Sequence, residues 1–189
     1  MFNNFQRKSH AFTLVEALVA LSILLTGIIS GFILVTRALY NAKVIQDRLT
    51  ASFLAQEGIE LVRKIRDTNY VKNINGVSTN WNNGLADGSY YISVDPDSNP
   101  KQVKISEKYN EDQESKIPNL KRDENNFQYG FNYTYGDETN FKRIIRIKTI
   151  DSNHLRVQSV VAWNTRNISF LEGQGAIVAE DHLYNWLSY

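Results

Sequence analysis

Glu16 is the side chain whose surroundings demand most from chemistry. It is the only charged residue between Phe12 and Val35, in the run FTLVEALVALSILLTGIISGFILV. A carboxylate inside a membrane-spanning helix costs roughly 2.5–3.5 kcal/mol on insertion scales, so it needs a partner. No basic residue lies on the apolar run. Upstream, Arg7 and Lys8 make a short basic tract, and the small residue Ala11 stands directly before the run. In a secretory signal the small-residue cut site follows the apolar region, which is then lost. Here the order is reversed. A cut between Ala11 and Phe12 keeps the whole run and creates a new amine at Phe12, four residues from Glu16. The plainer account of Glu16 is an acid near a helix end that snorkels to the headgroups or inserts protonated.

Other sets carry weaker chemistry. Lys142, Arg146 and Lys148 alternate on one face of a strand, with Arg156 on the neighbouring strand. Together they could hold DNA or an acidic surface, whereas the plain alternative is a solvated outer face that discourages edge pairing. Phe127, Tyr129, Phe131, Tyr133 and Tyr135 fall at every second position. Such a stripe could stack sugars or bases, but it also suits a core face laid on a helix. Asp95, Asp97 and Asn99 open like an EF-hand loop, yet Pro100 stands where glycine is needed and Ser106 where the bidentate acid belongs. That excludes an EF-hand, and a proline turn is the better account than a looser calcium loop. His10, His154 and His182 show no ligand spacing. No catalytic triad, phosphate loop or zinc pattern stands out, so the chain reads as neither an enzyme nor a cofactor binder.

These residues need elements to position them. At ~1.5 Å per residue the run from Phe12 to Val35 covers ~36 Å, enough to cross a hydrocarbon core of ~30 Å. Within it, Gly27 and Gly31 form a GxxxG pair that permits close helix–helix approach. Helical patterning continues from Ala38 to Asp67 without a proline. Ala42, Ile45, Leu49, Phe53, Ala55, Ile59, Val62 and Ile65 recur at spacings that predict one buried stripe. Residues 12–67 thus predict one helix of ~84 Å, apolar over 12–35 and amphipathic over 36–67. Residues 68–189 predict a head of antiparallel strands. Ser89–Val94, a short piece near Val103–Ile105, Phe127–Tyr135, Phe141–Ile150, Leu155–Trp163 and a piece near Ile168–Leu171 read as strands. Residues 95–126 hold all three prolines and read mostly as loop.

Composition narrows the role further. The formal charge is +1, and losing a leader over 1–11 removes two of the 21 basic side chains, leaving 19 against 20 acidic ones. Net charge therefore gives no support to bulk nucleic-acid binding, although a local patch remains open. With no cysteine, disulfides and thiolate chemistry are excluded, and the head must rely on packing.

KSHA followed by FTLVE resembles the prepilin leader of type IV pilins and type II secretion pseudopilins, with Ala11 in place of the usual glycine. AQEGIELVRKIRD resembles the minor subunits of the PilV and GspI types, and FKRIIRI, LRVQSVVAW and LYNW resemble that group more loosely. The resemblance implies an α+β type IV pilin fold, with a small antiparallel sheet packed on the second half of the helix. It also implies cleavage by a prepilin peptidase between Ala11 and Phe12, N-methylation of Phe12, and pairing of Glu16 with the amine of a neighbouring subunit during assembly. The implied partners are other pilins or pseudopilins, the inner-membrane assembly platform and membrane lipid. The implied location is the cytoplasmic membrane, N-in and C-out, and then a pilus or pseudopilus. Length and the C-terminal pattern favour a minor subunit over the shaft subunit. A fibre-tip adhesion or DNA-uptake module, and a permanently anchored binding domain, are the alternatives.

Overall fold

A computed structural model describes residues 13–94, 103–109, 117–122, 129–130, 137–163 and 176–186. Their layout is α+β, like the type IV pilin fold: one long N-terminal helix followed by an antiparallel sheet. By contacts the chain divides between Ile45 and Gln46 into two compact units.

Helix α1 runs from Leu14 to Ile74, seven residues beyond the Asp67 that periodicity alone suggests. Thr13 caps its start. Its Oγ1 accepts the Glu16 backbone N–H at 3.3 Å, and its carbonyl accepts Ala17 N–H at 3.1 Å, which satisfies donors that a helix N-terminus leaves free. The end is a Schellman closure. Val77 N–H donates to Lys72 O (2.9 Å) and Gly76 N–H to Asn73 O (3.1 Å), with Gly76 at φ 84°. The extra turns persist because tertiary contacts outweigh the low helix propensity of asparagine. Asn69 is buried and donates through Nδ2 to Trp81 O and Asn83 O (3.1 and 2.8 Å), while Tyr70 is buried against the end of the chain.

In the second unit α1 packs on a five-stranded sheet of order β2-β1-β6-β7-β8. Its strands are β1 (Gly88–Val94), β2 (Val103–Tyr109), β6 (Phe141–Asp151), β7 (His154–Trp163) and β8 (Ala176–Tyr184), every neighbouring pair antiparallel. Three two-residue strands, β3 (Lys121–Arg122), β4 (Tyr129–Gly130) and β5 (Asp137–Glu138), form a second sheet of order β4-β3-β5. The last strand, β8, has no counterpart among the predicted strands. The predicted piece near Ile168–Leu171 and most of Phe127–Tyr135 lie outside the described residues.

The period of two sorts the sheet's side chains cleanly. Ile92, Ile145, Ile147, Leu155, Val157 and Leu183 are buried with Ile59, Leu61, Val62 and Tyr70 of the helix, each worth roughly 1.5–3 kcal/mol of burial. The predicted helix stripe is only half right. Ala55, Ile59 and Val62 are buried, but Ala42, Ile45, Leu49 and Phe53 are exposed, and the inward positions are instead Ala51, Leu54, Gly58 and Leu61. Two apolar faces share this stretch of helix, and only one meets the sheet.

Gly58 sets the distance between the layers. Glycine costs about 1 kcal/mol against alanine in a helix. A Cβ there, however, would collide with Ser159 Oγ and lie 2.7 Å from Ile145 Cδ1. Beside it the fully buried guanidinium of Arg143 reaches up to the helix. Nη1 donates to Leu54 O (3.0 Å) and Glu57 Oε2 (2.8 Å), and Nη2 to Ile92 O (3.2 Å).

Candidate functional site

Among the described residues, the N-terminal unit presents an apolar surface that is exposed throughout its spanning stretch. Every residue from Thr13 to Lys43 is exposed, and the helix is long and apolar enough to cross a membrane. Apolar surface on that scale belongs in lipid or against a partner. Its hydroxyls suit such surroundings. Ser22 donates to Leu18 O (2.8 Å), Thr26 to Ser22 O (2.8 Å), Ser30 to Thr26 O and Thr36 to Phe32 O (3.0 Å). Each hydroxyl therefore finds an acceptor on its own helix and needs none from outside.

Glu16 sits at the third helical position behind Thr13, a T-x-x-E order that a capping box uses. This was readable in the sequence, because the motif is printed there as Thr13-Leu14-Val15-Glu16. The exposed carboxylate stands in the first turn, at the positive end of the helix dipole. Ala11 and Phe12, the residues on either side of the expected cut, lie outside the described residues. A Cβ at Gly27 or Gly31 would meet nothing within 4 Å, so both glycines leave the helix surface open for close approach.

The sheet face away from α1 carries the expected basic set, but it does not bring all four together. Arg146, Lys148 and Arg156 line a shallow hollow of about 370 Å³ with Asp87 and Gln158. The register explains this: Lys148 stands opposite Arg156, and Arg146 opposite Gln158. Lys142 stands opposite Ala162, six residues up β6 and outside the hollow. Between them lies an apolar cluster of Ile117, Ile144, Val160 and Ala162, with Tyr91 packed against it. The face is thus not uniformly solvated. Nor does the set guard an edge, because β6 and β7 are interior strands.

Asp87 partly neutralises the hollow. Its carboxylate accepts Thr149 N–H (2.6 Å) and pairs with Lys148 Nζ (2.9 Å). The hydrogen bonds from Thr149 and then Lys148 lower its pKa to about 2. Glu180 is also held below its ordinary value, first by the hydrogen bond from Gln158, with Arg156 and His182 nearby.

Two histidines separated by 28 residues meet on the same face, a pairing that linear spacing could not reveal. His154 Nε2 lies 2.6 Å from His182 Nδ1. Among the described residues no group of three or more His, Cys, Asp or Glu could hold a metal ion. Asp95, Asp97, Asn99 and His10 lie outside the described residues, as do Phe127, Phe131, Tyr133 and Tyr135, while Tyr129 falls on β4.

Residues 6–32 match the family model of the prokaryotic N-terminal methylation motif. No curated protein matches the chain, and no solved structure does.

Proposed function

We propose, from the premise that a chain with the prepilin-type leader of type IV pilins and pseudopilins is processed as a prepilin, that this protein is a minor fibre subunit. The observation that carries the proposal is the methylation motif over residues 6–32 on a capped, exposed apolar helix. In this reading the helix holds the protein in the cytoplasmic membrane, N-in and C-out. A prepilin peptidase cuts between Ala11 and Phe12, the Phe12 amine is methylated, and the inner-membrane platform moves the subunit into a pilus or pseudopilus among other pilins or pseudopilins. Its role is assembly and not catalysis, and the stretch AQEGIELVRKIRD resembles the PilV and GspI types of the group.

Glu16 is the assembly residue in this scheme. An amine freed at Phe12 of a neighbouring subunit supplies the positive partner that the apolar run lacks, and pairing inside lipid relieves the cost of a lone carboxylate. Gly27 and Gly31 give adjoining helices room to approach.

Mass spectrometry of the N-terminus of the native protein tests the scheme. Methylated Phe12 is the expected result, while an intact Met1 in the functional protein would overturn it in favour of a permanently anchored binding domain. Glu16→Val should insert normally yet be missing from the fibre or complex. Normal incorporation of that variant would remove Glu16 from assembly.

The hollow supports a second reading, a fibre-tip module that adheres to or takes up an acidic ligand such as DNA. Replacing Arg146, Lys148 and Arg156 with glutamine should abolish such binding and leave assembly intact. Lys142→Gln, outside the hollow, should change binding little.

A further inference from the structure

We propose that His154 and His182 form a two-histidine chelate for a borderline divalent transition-metal ion, of which Zn²⁺ is the type. In the β7–β8 register His154 stands opposite Tyr184 and Arg156 opposite His182. The two histidines are therefore diagonal neighbours on one face of an antiparallel pair, close enough for long side chains to meet. His154 Nε2 and His182 Nδ1 face each other at 2.6 Å.

The far side of each ring faces a carboxylate. Asp151 Oδ2 lies 3.8 Å from His154 Nδ1, and Glu180 Oε1 lies 3.4 Å from His182 Nε2. A carboxylate beyond a ring nitrogen favours the tautomer with the proton on that nitrogen, the arrangement that orients metal-binding histidines. With both far nitrogens protonated, the two facing nitrogens are lone pairs directed at each other. That is repulsive unless a cation lies between them. A single shared proton would serve, and so would a metal ion.

Three features favour the metal. Tyr184 stacks on His154 with ring centroids 4.4 Å apart and planes at 15°, which holds one ligand in place. The His182 side chain is 44% exposed, so an ion can enter and the ring can turn. Among the described residues the two rings face the carboxylates of Asp151 and Glu180, with Arg156 opposite His182, and the facing carboxylates favour a dication. Tetrahedral ligands at ~2.0–2.1 Å from zinc stand about 3.3 Å apart, so the rings must open slightly. Imidazole donors suit zinc, copper and nickel and not calcium or magnesium. Two protein ligands leave the remaining positions to water or to a donor from another molecule.

The test is a Zn²⁺ titration of the full-length chain in detergent, followed by calorimetry, with Mg²⁺ as the control. One Zn²⁺ per chain is expected, with affinity at least tenfold weaker in His154→Gln and in His182→Gln. His10→Gln, which removes the histidine of the leader, should bind as the wild type does. Glu180→Gln keeps both ligands and should weaken Zn²⁺ about tenfold through His182 alone. Circular dichroism of each variant verifies that it is folded. Wild-type protein that takes up no more Zn²⁺ than Mg²⁺ would overturn the site and leave a shared proton between the rings. Undiminished uptake by the folded histidine variants would overturn it as well.

Discussion

Arg143 makes the largest single commitment in the interior. Its guanidinium is fully buried and bridges the helix, through Leu54 O and Glu57, to β1 through Ile92 O. Removing one partner of a buried charged pair costs roughly 3–5 kcal/mol. Glu57 is one-third exposed, so Arg143→Ala should lie toward the lower end, at about 3 kcal/mol in denaturant unfolding. Arg143→Lys should recover only part, because one ammonium cannot span three acceptors. Ser159 is also buried, and its Oγ, like Arg143 Nε, has no hydrogen-bond partner. Ser159→Ala should be neutral or slightly stabilising. Gly58→Ala should destabilise by roughly 1–3 kcal/mol through overpacking, despite its gain in helix propensity. In the Gly58→Ala/Ser159→Ala double variant part of that loss should return, which a double-mutant cycle reads directly. At Asp87 the folded-state pKa of about 2 lies below the ordinary aspartate value of 3.8. Its contribution to stability is therefore complete above about pH 4 and is lost as pH falls toward 2. Asp87→Asn should flatten the stability profile across that window.

At the scale of elements, the C-terminal strand is held without a disulfide. Tyr70 Oη accepts Trp186 N–H at 3.1 Å and lies 3.2 Å from the acceptors Tyr184 O and Asn185 Oδ1. The Tyr70 ring packs on Trp186 at 4.8 Å. Asn185 N–H in turn donates to Asn153 O in the β6–β7 turn. Tyr70→Phe should cost roughly 1–2 kcal/mol and raise amide exchange at Asn185 and Trp186 with little change in the middle of β7. This latch also separates what was legible in the sequence from what was not. Strands β1, β6 and β7 were legible because β-branched residues alternate along them between turn residues. Strand β8 was not, because its inward set of Ile177, Ala179, Asp181 and Leu183 contains an acid. Asp181 is tolerated there because Arg63 of the helix pairs with it at 2.9 Å. Arg143 was readable by parity, since it alternates with Ile145 and Ile147, but a count of basic residues on the other face passes over it. The His154–His182 meeting depends on the β7–β8 register, which no local spacing encodes.

At the scale of the whole molecule, the division between Ile45 and Gln46 marks a working boundary. Residues 46–189 contain the sheet, Gly58, Arg143 and the Tyr70 latch. A chain of residues 46–189 should fold and unfold cooperatively, and Arg143→Ala should cost it as much as it costs the full chain. Non-cooperative melting of that fragment would mean that the apolar part of α1 contributes to the head's stability. The N-terminal methylation motif was legible, because basic tract, small residue, aromatic residue and lone acid stand together on a few residues. The apolar faces of α1 were legible only in part, since Ala55, Ile59 and Val62 are buried as expected. Periodicity reports that Ile45, Leu49 and Phe53 form a stripe, but not that the sheet chooses Ala51, Leu54 and Gly58.

The side-chain oxygens of Ser22, Thr26, Ser30 and Thr36 all turn back onto their own backbone. A rod that is self-sufficient in this way can leave fatty acyl chains for the greasy flank of a sibling without trading any polar bond. Along its apolar length Glu16 alone would notice the move. In the proposed scheme, transit from bilayer to filament becomes a question put to one side chain, and its counter-ion carries the answer.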